Sequence, residues 1–154
     1  MLEACKDTHI LVAVLPLSIL DIQGRVPREL FYFKDDQWHK SQAFAKEKGR
    51  AGWHLVRKDT VPNSTSKTWQ EQQSLLGKDD ETPTARVLIY TVIVTFLAIG
   101  VKLLTNIYAR VSDLDSDGSR VIVGYFDAGG LGAIYGWDVG RFGDFGVASA
   151  RKSD

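Results

Sequence analysis

The longest apolar run in the chain, Val87 to Val101 (VLIYTVIVTFLAIGV), passes 15 residues without a charge and lies between Arg86 and Lys102. Its β-branched content suits a strand, but an uninterrupted run of this length exceeds a typical strand of about 5–6 residues. Thr82 as N-cap and Pro83 at the first helical position form a start signal. Thr84, Thr91, Thr95 and Lys102 fall within about 20° of one line at 100° per residue. The pattern therefore predicts a long apolar core helix over about 83–104, enclosed on most sides, with one narrow polar stripe. A bilayer crossing needs about 20 apolar residues, so the run reads as a buried helix and no membrane is expected.

Beyond the helix the period changes to two. Ile107, Ala109 and Val111 alternate with Tyr108, Arg110 and Ser112. Asp117-Gly118 is a hairpin signal, and Arg120 to Phe126 is the returning strand. Asp127 to Gly130 marks another turn, followed by strands near Leu131 to Trp137 and Phe145 to Ala150. Nine of the 14 glycines lie between Gly118 and Gly146, which implies tight turns, bulges or close backbone approaches there.

Ahead of the helix the pattern is mixed. His9 to Ile22, broken by Pro16, reads as a strand and turn or as two short strands, and Val26 to Lys34 as an extended stretch or short helix. Asp35 or Asp36 offers an N-cap for a helix over about 37–48, ending at Gly49. Trp53 to Arg57 reads as a strand, Val61 to Ser66 as a loop, and Thr68 with Glu71 as a capping box opening a helix over about 69–76. The fold class is α+β: the long helix packs on a mostly antiparallel, glycine-rich C-terminal sheet. At 154 residues one domain is expected, with residues 1–35 a candidate accessory segment.

Charge narrows the function classes. Lysine plus arginine equals aspartate plus glutamate at 19 each, and both halves balance as well. Nucleic-acid binders usually carry a basic excess that neutralises phosphates, so nucleic acid is not the expected partner. Cys5 is the only cysteine, which excludes an intrachain disulfide and fits a reducing compartment. Glu3 and Asp7 flank Lys6 where a secretory leader would be basic, so a cytoplasmic location is expected.

Candidate chemistry is sparse. Asp113-x-Asp115-x-Asp117-Gly118 matches the opening of a calcium loop, but Gly124 stands where the bidentate glutamate belongs, and a polar hairpin turn is the simpler reading. His9, His39 and His54 show no paired metal spacing. His54 lies in the predicted strand and is a weak candidate for a general base. Cys5 reads as an idle thiol. No nucleophile elbow, Walker A loop or dinucleotide fingerprint is set between a strand and a helix, and no cofactor is expected.

Residues 40–58 are locally basic, with Lys40, Lys46, Lys48, Arg50, Arg57 and Lys58 against Glu47 alone. Arg57, Lys58, Ser64, Thr65 and Lys67 are candidate anion-binding residues, using the helix start near Thr68. Trp53 and Trp69 are candidate stacking surfaces. A solvated basic face beside an ordinary helix cap is the competing reading.

GRAGWHLVRK (Gly49 to Lys58), VPNSTSKTWQEQQ (Val61 to Gln73), ETPTARV (Glu81 to Val87), SDLDSDG (Ser112 to Gly118) and GVASARK (Gly146 to Lys152) resemble tracts of a family of small uncharacterised bacterial proteins. The resemblance spans about two-thirds of the chain and leaves out residues 1–35. It implies a bacterial cytoplasmic origin and brings no activity or site residue. The leading expectation is a non-catalytic binding or assembly module, a homo-oligomer, since four tryptophans and five tyrosines are residue types favoured at interfaces. Binding of a phosphorylated small molecule or nucleic acid by the 40–67 segment, and a hydrolase with a dispersed site near His54, are the alternatives.

Overall fold

The computed structural model describes residues 5–32 and 38–152, the Trp38 side chain excepted. The N-cap expected at Asp35 or Asp36 lies outside these residues. Helices combine with two four-stranded, mostly antiparallel sheets, as α+β requires.

In the first sheet, strand β1 (His9–Val14) pairs antiparallel with β2 (Gly52–Arg57), His9 opposite Arg57 and Val14 opposite Gly52. The short strands β3 (Asp80–Glu81) and β8 (Ala150–Arg151) complete it in the order β1-β2-β8-β3. In the second sheet, β4 (Tyr108–Leu114), β5 (Arg120–Asp127) and β6 (Gly130–Gly136) form an antiparallel meander. Strand β7 (Phe145–Val147) then lies parallel to β4. The stretch expected as one strand over 145–150 thus divides, its first part joining one sheet and its last part the other.

Helix α1 (Ile19–Arg25) is missing from the expected pattern. Its cap is a complete box: the Ser18 hydroxyl accepts from Asp21 N at 3.0 Å, and the Asp21 carboxylate accepts from Ser18 N at 3.0 Å. The helix expected over 37–48 is a 3-10 turn, Trp38–Ser41, followed by α2 (Ala43–Lys46). Helix α3 (Trp69–Gln73) begins at the Thr68–Glu71 capping box, as expected, and is shorter than the 69–76 span.

The helix expected over 83–104 is the 15-residue α4, Ala85–Ile99. Thr84, not Thr82, is its cap, accepting from Val87 N at 3.3 Å, and Asp113 accepts from Ala85 N at 2.6 Å. That carboxylate also complements the positive end of the helix. Gly100 ends the helix in the left-handed conformation (φ +72°), its N–H bonding to Phe96 O. The helix packs on both sheets and on α1 and α2, not on the C-terminal sheet alone. Leu97 and Ile99 in its last turn are exposed. The expected polar stripe is also corrected: Thr91 and Thr95 are buried, and their hydroxyls donate to Val87 O and Thr91 O. A threonine hydroxyl satisfied one turn back needs no solvent. Lys102 lies past the helix, its Nζ 5.0 Å from the Phe126 ring centre and 5.6 Å from that of Phe96. Among the described residues no helix is long and apolar enough to cross a membrane.

The β5–β6 ladder is irregular between Gly124 and Asp127. Gly124 lies against the backbone of Ile107 and Tyr108, so a Cβ there would meet the Ile107 carbonyl oxygen and Tyr108 Cα. Gly124→Ala is expected to cost about 1–3 kcal/mol, the usual range for forcing atoms into a packed site. A urea midpoint equal to wild type would refute this.

Candidate functional site

The bulge after Gly124 places Tyr125 at φ +51°, a conformation that tyrosine adopts rarely. Tyr125 N bonds to Ile107 O at 3.1 Å and Phe126 N to Leu104 O at 2.9 Å, so the distortion is held by the 104–107 segment. A bulge re-aims the side chains it carries. Here it sets the Tyr125 ring against Tyr108 of β4, with centroids 4.5 Å apart and planes tilted by 49°. The Tyr125 hydroxyl donates to Asp144 Oδ2 at 3.1 Å. Tyr108 meets Phe145 edge-on at 5.7 Å, and Phe145 meets Phe142 at 4.6 Å.

Tyr32 supplies the opposite wall. Its N–H bonds to Leu131 O at 2.9 Å, and Phe31 bridges Leu131, which fixes the 31–32 segment along the edge of β6. Between the walls lies a cleft of about 630 Å³, lined by Tyr32, Tyr108, Tyr125, Asp127 and the backbone from Ala128 through Gly130 with Gly132. That volume falls within the range of small-molecule sites. Glycines form the floor: a Cβ at Gly132 would come within 3.5 Å of the Tyr108 hydroxyl, and one at Gly129 within 3.6 Å of the Tyr32 ring. Asp127 turns the loop by accepting from Gly129 N at 2.8 Å. Burial, with Tyr125 and Asp144 next, raises the Tyr108 hydroxyl above its ordinary pKa. Burial and then the Asp144 hydrogen bond raise that of Tyr125. Both are neutral phenols at pH 7.

Two arginines hold the 136–144 segment in place. Arg110 of β4 is fully buried and donates to four acceptors: Lys67 O, Gln72 Oε1, Trp137 O and Gly140 O, at 2.8–3.0 Å. Arg120 of β5 grips both oxygens of Asp138 at 3.0 and 2.9 Å and donates to Ser112 O. Trp137, Val139 and Phe142 stand exposed on the segment so held.

The residues singled out in the sequence lie elsewhere. Arg57 ends β2 opposite His9, and Lys58 Nζ donates to Lys6 O at 3.0 Å. Ser64 is buried, its hydroxyl donating to Val61 O and accepting from Val147 N. Thr65 is half-buried in the same loop, and the carbonyl of Lys67 receives Arg110. The side chains of Lys58 and Ser64 are thus tied to different neighbours. The start of α3 is already served by a carboxylate: Glu71 accepts from Thr68 N at 3.0 Å and pairs with Arg141. Trp53 is exposed, whereas one face of Trp69 carries the Arg120 guanidinium 3.7 Å away.

Asp113 caps α4, and Asp115 accepts from Asp117 N and Ser119 N within its own turn. Among the described residues no group of three metal-ligating side chains is assembled. His54 is half-buried, and burial followed by the charge of Arg86 lowers its pKa. Cys5 is buried. The three tyrosines were not singled out from the sequence, and only the glycine density after Gly118 pointed toward their neighbourhood. No protein-family model, curated protein or solved structure matches the chain.

Proposed function

We propose that this chain is a non-catalytic binding module whose recognition site is the tyrosine cleft between the 31–32 segment and the β5–β6 turn. The observation that carries the reading is Tyr125, held at φ +51° by a bulge so that its ring faces the cleft beside Tyr108. Strained conformations of this kind persist where the surrounding structure over-determines them, and they concentrate at ligand sites. The cleft joins aromatic faces, phenolic hydroxyls and one carboxylate, which is the composition of a site that orients a ligand rather than one that transforms it. By contrast, the Lys58 and Ser64 side chains of the basic segment already serve separate backbone partners, and no hydrogen bond among the described residues joins His54 to a carboxylate or hydroxyl that would activate it.

The test is a nuclear magnetic resonance screen of the whole chain against small organic cations, neutral sugars and phosphorylated anions. At least one class is expected to shift the amides of Tyr108, Tyr125 and 129–132 selectively, and Tyr125→Ala to abolish the response. Shifts centred on 57–67 would transfer the function to the basic segment, and shifts centred on His54 would favour the hydrolase; either overturns the cleft.

A further inference from the structure

Among the described residues, none that lines the cleft is cationic. Tyr32, Tyr108 and Tyr125 present three aromatic rings, Asp127 contributes a carboxylate, and the remaining lining is alanine and glycine backbone. Asp144 accepts the hydrogen bond of the Tyr125 hydroxyl and so brings a second carboxylate close to that ring. Lys102 Nζ bonds to the backbone oxygen of Asp127 at 3.3 Å and rests over the Phe96 and Phe126 rings. It leaves the Asp127 carboxylate, which turns toward Gly129 N, without an ion pair among the described residues.

Aromatic faces carry negative electrostatic potential and attract cations that shed water easily. An anion entering here would meet the Asp127 carboxylate among three tyrosine rings, with the Asp144 carboxylate beyond Tyr125. A neutral ligand would gain apolar contact but nothing from the acids. On the cleft reading above, we propose that the ligand is a small organic cation of the quaternary or methylated ammonium class, seated among Tyr32, Tyr108 and Tyr125 with its charge facing Asp127. The glycine floor serves this geometry, since a side chain at 129 or 132 would fill space beside Tyr32 or Tyr108.

Choline and an N-acetylated trimethyllysine amide are titrated in separate arms, which separates a free cation from a modified side chain as the source. The neutral isostere 3,3-dimethylbutan-1-ol is the control for apolar contact. At least one cation is expected to bind and shift the 125 and 129–132 amides, with the isostere about tenfold weaker or more, the discrimination one desolvated cation–aromatic contact supplies. Tyr32→Ala should weaken binding by about the same factor. Tyr32 is 72% exposed, so its removal leaves folding intact. Asp127→Asn should weaken the cations and leave the isostere unchanged. Equal binding of isostere and cation overturns the cation assignment while the cleft reading stands. Failure of both cations to bind, with a sugar or anion shifting the same amides, overturns it likewise. Loss of every cleft response across the whole screen overturns both.

Discussion

Replacing Arg110 by methionine is expected to lower the stability of the fold by about 3–5 kcal/mol, the usual cost of removing one member of a buried, hydrogen-bonded polar group. The four acceptors it serves are the reason. Lys67 O, Trp137 O, Gly140 O and Gln72 Oε1 converge on one guanidinium, and a thioether reaches none of them. Each buried acceptor left without a donor costs about 1–3 kcal/mol. Gln72 is fully buried as well, its Nε2 donating to Ser64 O and Phe145 O, so the loss passes to the 61–67 loop and to β7. Lysine restores the charge but presents a point donor in place of a planar fork, and Arg110→Lys should recover only part of the loss. Whole domains hold about 5–15 kcal/mol, so the methionine variant approaches the limit of folding. Urea unfolding measures the loss, and amide exchange of 137–142 should speed more than that of β5. A midpoint within a few tenths molar of wild type would mean that water replaces the guanidinium at no cost.

Arg110 also shows where the sequence was legible and where it was not. Its alternation with Ala109 and Val111 identified the strand but put Arg110 on the polar side. That face is not solvent: α3 and the 136–144 segment cover it, and the chain brings both from far away in sequence. The turns were readable because they are local. Gly118 and Gly130 take φ values of +82° and +100° where Asp117-Gly118 and the 127–130 turn were expected. The Thr68–Glu71 box is legible in the sequence, whereas the equivalent Ser18–Asp21 box follows Pro16 within an apolar run that suits strands. Sheet membership was not readable, because nothing in the 145–150 pattern tells β7 to join β4 and β8 to join β2. The cleft was hidden for the same reason. Its three tyrosines come from separate segments, and the bulge that aims Tyr125 depends on the Leu104 and Ile107 carbonyls.

Acid should weaken the fold well before its carboxylates titrate, and His39 is the principal cause. The side chain is 1% exposed, within the 3-10 turn Trp38–Ser41, and its Nε2 lies 3.2 Å from Gln23 Oε1. Burial, with the charge of Lys40 next, lowers its pKa from 6.5 to about 4. In the unfolded chain the imidazole takes up its proton near pH 6.5, whereas the folded protein resists until about pH 4. Between those limits the unfolded state holds more protons, so stability is fully present above pH 6.5 and declines as pH falls through the window. The whole span is worth about 3 kcal/mol at 1.36 kcal/mol per unit. His9 and His54 are lowered in the same direction, chiefly by burial. Glu71, lowered to about 2 by its Thr68 and Arg141 hydrogen bonds, adds its loss only below the ordinary glutamate range. Asp113 acts in the opposite sense, because burial raises its carboxyl above the usual value. Urea midpoints at intervals from pH 7.5 to 5 separate these groups. Wild type should lose stability steadily, while His39→Gln, whatever its stability at pH 7.5, should lose markedly less over the same interval. Parallel curves for the two proteins would show that the folded state protonates His39 as readily as the unfolded one does.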